Sequence, residues 1–169
     1  GVKKLAIVHQ GDGYSEDLAS LTKKRWTEMG NEVVAFEVVN KGEQDHSALV
    51  TRIKSKAPDL VFWTAYYADG ALVIKQLRTG GYKGKIAIGD GSTDAKLIEI
   101  AGKSADGVYA LANPLPEFLT EGKKFIQDYK AKFKVNPGPY SALSYDAMNL
   151  LADAIKRAGA TDKKAVAAA

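Results

Sequence analysis

The sequence predicts an α/β fold, a doubly wound five-stranded parallel sheet with strand order 2-1-3-4-5. Five short apolar runs, rich in branched residues, alternate with segments of helical periodicity along the chain, which favours parallel βαβ units. The runs are almost unbroken, as expected for strands that are covered on both faces. With 169 residues, 46% of them apolar, the chain is long enough for one well-buried core.

The predicted elements follow one another closely. The strands cover residues 5–8, 33–39, 60–64, 86–88 and 108–112. The first helix is predicted to begin at Ser15, because Glu16 and Asp17 would then lie in its first turn, near the positive end of the helix dipole. The spacing of apolar residues predicts the next helices at residues 45–56, 68–78 and 95–101.

A fifth helix is predicted over residues 117–134, where five apolar residues keep a helical period and form a mostly aromatic stripe. We expect this stripe to lie in the core; it consists of Phe118, Phe125, Ile126, Tyr129 and Phe133. Two prolines and a glycine within residues 136–139 then break the pattern. A last helix, residues 141–158, has no strand after it, and residues 160–169 are expected to form a frayed tail.

The overall composition excludes several classes of site. The 24 basic and 20 acidic residues give a net charge of +4, and the lysines are scattered, so we interpret them as a solvated surface and expect no nucleic-acid partner. The chain has no cysteine, which excludes disulfides, thiolate metal sites and thiol catalysis. Residues 1–4 lead directly into a strand, so we expect any targeting segment to have been removed or never to have existed.

Three short polar stretches follow predicted strands and precede predicted helices. They contain Tyr14, Tyr66 and Asp90. Side chains just past the carboxyl ends of parallel strands gather along one edge of the sheet, where ligands bind in such folds. A carboxylate framed by aromatic rings suits an ammonium group, which donates to the carboxylate and packs against the rings. The sequence therefore predicts a site for a small molecule that carries an amine.

Each of these residues also has a purely structural interpretation. Tyr14 can be a hydrophobic staple at the start of the first helix, and Tyr66 can cover the end of the sheet. Asp90 can be a turn residue before a glycine. Trp63, inside the third strand, is expected to belong to the core rather than to the site.

Other chemistries fit the sequence less well. The glycine-containing stretches after the first and fourth strands lack the third glycine of a dinucleotide fingerprint, and neither a phosphate-binding loop nor a nucleophile elbow is present. His9 and His46 are interpreted as structural or exposed, so we expect no metal site and no cofactor. A Ser/His/Asp triad can be written on paper from Ser92, His9 and Asp90, but no spacing singles it out.

Several short segments, in their order and spacing, carry a resemblance to one family. They are Lys4-Leu5-Ala6-Ile7-Val8 running into Tyr14, Gly42-Glu43-Gln44-Asp45-His46-Ser47-Ala48-Leu49, Pro58-Asp59-Leu60-Val61-Phe62, Tyr66-Tyr67 before Gln76-Leu77-Arg78, Ile88-Gly89-Asp90-Gly91, Ala101-Gly102, Ala105-Asp106-Gly107, Pro137-Gly138-Pro139-Tyr140 and Tyr145-Asp146-Ala147. Through them the chain resembles the periplasmic solute-binding proteins of branched-chain amino acid ABC transporters, which have the type I periplasmic binding fold. The resemblance covers nearly the whole chain.

This resemblance implies that the chain is one lobe of a two-lobed protein that closes on an amino acid and performs no catalysis. It implies a ligand-binding lobe at residues 1–135, a hinge-like linker at 136–140, and a helix at 141–159 that returns to a first lobe missing from this chain. The apolar face of that helix would then be exposed and could drive self-association.

The resemblance also implies the ligand and its partners. Tyr14, Tyr66 and Asp90 would hold a small amino acid, branched-chain or similar, with Asp90 at the ammonium group. Expected partners are this ligand and the membrane subunits of an ABC transporter, and the expected location is the periplasm or the extracellular surface. Ser15 stands where the family often has glycine. Asp90 stands where leucine-binding members carry glutamate, and the shorter acid changes the reach to the ligand.

Two other functions stay open at this point. The same fold serves as a ligand-sensing domain of receptors and transcription regulators. A flavodoxin-like enzyme or receiver domain is the third hypothesis; a receiver would need a lysine that the stretch Asn113-Pro114, after the fifth strand, does not supply. Because fold alone does not separate these functions, the residues of the site decide in favour of binding.

Overall fold

The computed structural model describes all 169 residues, which divide into two compact units at residues 1–113 and 114–169. The first unit contains a five-stranded, all-parallel sheet in the order β2-β1-β3-β4-β5. This confirms the predicted fold class and strand order. The strands are β1 (Lys4–His9), β2 (Glu32–Val38), β3 (Leu60–Trp63), β4 (Lys85–Ile88) and β5 (Val108–Ala110).

Four helices connect these strands, and three more lie in the second unit. The helices of the first unit are α1 (Gly13–Glu28), α2 (Ser47–Ser55), α3 (Tyr67–Thr79) and α4 (Ala95–Ala101). Those of the second unit are α5 (Gly122–Phe133), α6 (Ser141–Ala158) and α7 (Lys163–Ala168). None of the seven has the length and apolar composition that a membrane crossing requires.

The core of the first unit lies on both faces of the sheet. Along β1, Ala6 and Val8 belong to the cluster packed with buried residues of α2, α3 and α4, whereas Leu5 and Ile7 belong to the cluster that includes Ala19 of α1. Side chains of a strand alternate between faces, so both sets are buried only because helices cover both sides. The residues that follow the carboxyl ends of the strands are left at the edge, where a site can form.

Helix α1 begins two residues earlier than predicted. Its N-cap is Asp12, whose side chain accepts from the backbone N–H of Ser15 at 3.1 Å. The Ser15 hydroxyl donates to the same carboxylate at 2.8 Å, and Ser15 is fully buried. An aspartate in the capping position therefore takes the role that the sequence pattern assigned to Ser15, and Tyr14 becomes part of the first turn.

The prediction of a single helix over residues 117–134 is wrong. The chain forms a 3₁₀ turn at Pro116–Phe118 and then the separate helix α5. Gly122 begins α5 so close to the turn that a Cβ there would lie 1.9 Å from the carbonyl oxygen of Pro116. Only glycine fits at this close approach, so the bend between the turn and α5 depends on Gly122.

The aromatic stripe is not a buried core. Phe118 is 78% exposed and Phe133 is 52% exposed, while Phe125 and Tyr129 are half-buried. The rings instead stack on one another along α5, with centroids 5.7 Å apart for Phe125 and Tyr129 and 4.6 Å apart for Tyr129 and Phe133. Tyr145 of α6 extends this cluster, 5.6 Å from Phe125.

Helix α6 has the predicted bounds, but the tail differs from the prediction. The frayed tail expected at residues 160–169 contains α7, whose N-cap Asp162 accepts from the backbone N–H groups of Lys164 and Ala165. The C-cap of α6 is Gly159, which adopts a left-handed φ of +63°. Residues 136–140 lie inside the second unit, and their role as a hinge stays a prediction.

Substitution of Leu77 by alanine tests the assignment of the core. Leu77 on α3 is fully buried, so Leu77→Ala should lower the free energy of unfolding by about 2–5 kcal/mol, since it removes apolar contacts and leaves a cavity. The matched control is Leu21→Ala on α1, where the side chain is 62% exposed and the loss should stay within about 0.5 kcal/mol. Urea denaturation followed by circular dichroism measures both. Equal losses in the two variants would contradict the packing described above.

Candidate functional site

The three residues singled out in the sequence lie together at the carboxyl edge of the sheet. Tyr14 is in the first turn of α1, after β1; Tyr66 is the N-cap residue of α3, after β3; Asp90 opens the 3₁₀ turn after β4. Because β1, β3 and β4 are neighbours in the sheet, their connecting loops meet. The strand order reverses between β1 and β3, and this is the point at which ligands bind in doubly wound sheets.

The Tyr14 hydroxyl is the centre of this arrangement. It donates to Asp90 Oδ1 at 2.5 Å and accepts from the backbone N–H of Gly91 at 3.1 Å. The Tyr14 and Tyr66 rings lie 5.7 Å apart between centroids, tilted by 34°. Tyr14 is 37% exposed and Tyr66 is 43% exposed. One carboxylate and two accessible aromatic faces therefore form a continuous polar and apolar surface.

Burial and the neighbouring carboxylate change the acidity of Tyr14. Partial burial disfavours the phenolate and, together with the hydrogen bond to Asp90, raises the pKa of Tyr14 to about 12. The phenol is therefore a neutral hydrogen-bond donor at physiological pH. It holds Asp90 in one orientation without neutralising its charge.

Gly91 allows Tyr14 to come this close. A Cβ at position 91 would lie 2.9 Å from Tyr14 Cε1 and 3.2 Å from the carbonyl oxygen of Ala65. Real Cβ atoms do not approach a ring carbon so closely, and the ring would have to move. The sequence Asp90-Gly91 thus supplies both the acid and the space for the phenol that orients it.

The start of α1, and with it Tyr14, is tied to the end of β3. The hydroxyl of Thr64 donates to the backbone carbonyl of Ser15 at 2.8 Å, and both residues are fully buried. The Ser15 hydroxyl accepts from the backbone N–H of Gln10 at 3.2 Å. The sequence analysis did not assign this role to Thr64. A hydroxyl at the end of an otherwise apolar strand is a usable signal, because a buried hydroxyl needs a hydrogen-bond partner.

The Ser92 hydroxyl, considered for a triad from the sequence, makes structural hydrogen bonds on both sides. It donates to the carbonyl of Ala65 at 2.8 Å and accepts from the indole N–H of Trp63 at 3.0 Å. The His9 ring makes a hydrogen bond within its own loop, where Nδ1 accepts from the backbone N–H of Gly11 at 3.1 Å. The prediction that Trp63 belongs to the core is confirmed, since Trp63 is 1% exposed.

The two histidines occupy structural positions, as predicted. The His9 ring packs against Phe36 with centroids 4.9 Å apart. His46 is 1% exposed, and neither of its ring nitrogens has a hydrogen-bond partner. No group of three or more His, Asp or Glu side chains is placed to hold a metal ion.

Comparison with known proteins gives a consistent result. A family model described as "Periplasmic binding protein" matches residues 1–169. The Leu/Ile/Val-binding protein homolog 1 of Brucella melitensis is 34% identical over 167 residues, which are 98% of this chain and 44% of that protein. A leucine-, isoleucine-, valine-, threonine-, and alanine-binding protein of Pseudomonas aeruginosa is 28% identical over 167 residues, 99% of this chain and 45% of that protein.

Solved structures agree with the sequence relatives. A leucine binding protein, LivK, from Thermotoga maritima superimposes with a TM-score of 0.88 at 35% identity, covering 99% of this chain and 48% of that one. The substrate binding protein LivJ from Streptococcus pneumoniae, in complex with isoleucine, gives 0.80 at 26% identity, covering 98% and 47%. An extracellular ligand-binding receptor from Rhodopseudomonas palustris gives 0.88 at 26% identity, covering 98% and 51%. The chain spans about half the length of the relatives it matches.

The acidity of Tyr14 provides a first test of the site. In the folded chain the Tyr14 phenol should titrate near pH 12, and Asp90→Asn should lower this pKa, because the carboxylate no longer disfavours the phenolate. NMR of isotope-labelled tyrosine Cζ measures it. Tyr82, whose pKa is also raised to about 12 by burial, is the internal control and should not respond. A Tyr14 signal that titrates identically in both proteins would contradict the hydrogen bond.

The Tyr14 phenol also makes the free energy of unfolding depend on pH. The pKa of Tyr14 is higher in the folded state than its ordinary value of 10.0. Its contribution is therefore fully present below about pH 10 and is lost as the pH rises through about 12. Urea denaturation over this range should show a steeper alkaline loss for the parent than for Tyr14→Phe, which has no phenol to ionise. Parallel curves would contradict the assignment.

Substitution of Gly91 tests the close approach of Tyr14. Gly91→Ala should displace the Tyr14 ring from Asp90, move its pKa toward 10 and weaken the contact with Tyr66, because the new methyl group occupies the space of the ring. Nuclear Overhauser effects between the two rings report the displacement. Gly13→Ala is the matched control, since a Cβ at that position meets nothing within 4 Å. Unchanged ring contacts in Gly91→Ala would contradict the geometry.

Proposed function

We propose, since this chain belongs to the periplasmic binding protein family, that its Tyr14, Tyr66 and Asp90 form one wall of a site for a small amino acid, branched-chain or similar. One observation carries the proposal: the Tyr14 hydroxyl orients the Asp90 carboxylate beside two accessible tyrosine rings, at the switch point of the sheet. The relatives described as binding leucine, isoleucine and valine support this class of ligand.

The proposed role of Asp90 is to hold the ammonium group of the ligand. An ionised carboxylate accepts several hydrogen bonds at once, so Tyr14 and an ammonium group can share it. A charge-assisted hydrogen bond is roughly twice as strong as one between neutral groups. The Tyr14 phenol stays protonated at physiological pH, because its pKa is raised to about 12. It therefore orients the acid without competing with the ligand for its charge.

The proposed role of the tyrosine rings is to pack against the rest of the ligand. Their faces offer apolar area to an aliphatic side chain and a negative electrostatic face to the nearby ammonium group. Asp90 is one methylene shorter than the glutamate expected from leucine-binding members. We infer that the ligand sits closer to the end of β4 or carries its amine nearer to this wall.

The proposed biological role is substrate capture for an ABC importer at the periplasmic or extracellular face of the membrane. The chain spans about half the length of its relatives, and the two-lobed arrangement implied by the resemblance assigns the ligand carboxylate to the other half. A site that offers one wall binds weakly, since losing about 4 kcal/mol of contacts weakens binding about a thousandfold. No catalytic step is proposed, and the Ser92 hydroxyl is already engaged in the fold.

A ligand-sensing role is the second candidate. It is supported by the similarity to a protein described as an extracellular ligand-binding receptor. The residues that contact the ligand would be the same in both cases. The two roles differ in the partner that recognises the ligand-bound protein, which is a transporter in one case and a signalling protein in the other.

Ligand titration of the full 169-residue chain tests the proposal. Leucine, isoleucine and valine are added to about 10 mM, a range that captures a Kd near 1 mM, while amide signals are followed by NMR. We expect saturable shifts confined to the loops that carry Tyr14, Tyr66 and Asp90. The hydroxy acid that replaces the ammonium group of leucine by a hydroxyl should not bind, because it cannot pair with the carboxylate.

Matched variants identify the acid that carries the binding. Asp90→Asn should weaken binding about tenfold or more, because the ligand ammonium loses its ionic partner. Glu99→Gln on α4 removes the same charge from an exposed position and should bind like the parent. Well-dispersed spectra with no shifts at 10 mM, or equal affinity in the Asp90 and Glu99 variants, would overturn the proposal.

A further inference from the structure

Two buried polar side chains lie directly behind the candidate site. The indole N–H of Trp63 donates to Ser92 Oγ at 3.0 Å and to the backbone carbonyl of Tyr66 at 3.1 Å. The Ser92 hydroxyl in turn donates to the backbone carbonyl of Ala65 at 2.8 Å. One indole and one hydroxyl therefore join the loop after β3 to the turn after β4.

Burial makes this connection a strong restraint. Trp63 is 1% exposed and Ser92 is fully buried. A polar group that is removed from water costs free energy unless it keeps its partner. If either loop moved away, an indole N–H, a hydroxyl or a carbonyl would be left unpaired. Exposed hydrogen bonds restrain a loop much less, because water replaces a lost partner.

The backbone passes this restraint to Asp90 on one side. Asp90 opens the three-residue 3₁₀ turn that Ser92 closes. Within it the backbone N–H of Ser92 donates to the carbonyl of Gly89, and the N–H of Thr93 donates to the carbonyl of Asp90, each at 3.0 Å. Fixing the Ser92 side chain therefore fixes the point at which the Asp90 carboxylate leaves the backbone.

The same restraint reaches Tyr66 on the other side. The Tyr66 carbonyl that accepts from the indole belongs to the N-cap residue of α3. Gly70, in the first turns of α3, leaves space for the indole, since a Cβ there would lie 2.5 Å from Trp63 Nε1. The helix thus packs directly on the indole, and the indole cannot shift toward it.

We propose that Trp63 and Ser92 are positioning residues of the amino-acid site, which hold Tyr66 and Asp90 in one fixed relation without touching the ligand. This inference rests on the proposed function. It goes beyond that function in naming two residues outside the ligand surface that set the geometry of the acid and one ring. The two side chains are coupled by the indole–hydroxyl hydrogen bond that they share, and each makes one further bond to a backbone carbonyl, the indole to Tyr66 and the hydroxyl to Ala65.

Two variants remove the shared indole–hydroxyl hydrogen bond in different ways. Ser92→Ala deletes the hydroxyl, and Trp63→Phe keeps an aromatic ring in the core but deletes the N–H donor. In both we expect the Tyr14 phenol pKa to move from about 12 toward 10, because Asp90 no longer stays at hydrogen-bond distance from Tyr14. We also expect the Kd for the amino acid that binds the parent best to rise about tenfold.

The double variant and a stability control separate positioning from simple destabilisation. Ser92→Ala combined with Trp63→Phe should shift the Tyr14 pKa and the Kd by less than the sum of the two single changes, since both delete the same indole–hydroxyl bond. Ile53→Val removes a methylene from a fully buried side chain of α2, away from the site. It should lower the unfolding midpoint but leave the Tyr14 pKa and the Kd unchanged.

The outcomes distinguish this inference from the proposed function. A Tyr14 pKa that moves in both single variants but not in Ile53→Val supports the positioning pair, even if the parent binds no amino acid and the proposed function fails. A Tyr14 pKa that stays at its parent value in the folded Trp63→Phe variant overturns the pair, whether or not Ser92→Ala folds. Fully additive effects in the double variant also overturn it.

Discussion

The rest of the site depends on one buried segment, Trp63 at the end of β3 together with Thr64 and Ala65, which follow the strand. Each of these three residues makes a buried hydrogen bond to another part of the carboxyl edge, one to the start of α1 and two to the turn after β4. Thr64 donates to the carbonyl of Ser15 at the start of α1, Trp63 donates to Ser92, and the Ala65 carbonyl accepts from Ser92. Because unpaired polar groups are costly in a core, these contacts fix all three loops relative to one central strand.

The surface that results is small and chemically simple. A carboxylate is oriented by a phenol whose pKa is high enough to keep it protonated, and a second ring stands beside them. The Ser92 hydroxyl beside this arrangement is committed to the carbonyl of Ala65. Such a surface favours recognition of a cationic group and an apolar side chain. This is why a binding role follows from the geometry more readily than an enzymatic one.

Much of the fold was predictable from local patterns, and the failures have physical causes. Apolar runs of strand length predicted all five strands, because strands covered on both faces have no polar side to interrupt them. The start of α1 was misplaced, since Asp12 and Ser15 are both capping residues and the pattern does not rank them. The prediction of one helix over residues 117–134 was wrong. The close approach of Gly122 to Pro116 joins residues six apart, a spacing that a search for helical periodicity does not detect.

The sequence by itself determined the fold class and which three residues follow strands, since these depend on the order and spacing of apolar runs along the chain. The strand order was expected as one of the common orders of doubly wound sheets, and the structure has it. Only the tertiary structure decided that Tyr14 reaches Asp90, that Gly91 leaves room for it, and that Trp63 and Ser92 connect the loops behind it. These contacts join residues between 29 and 77 positions apart. Their distances are set by how the helices pack on the sheet, and no local pattern encodes that packing.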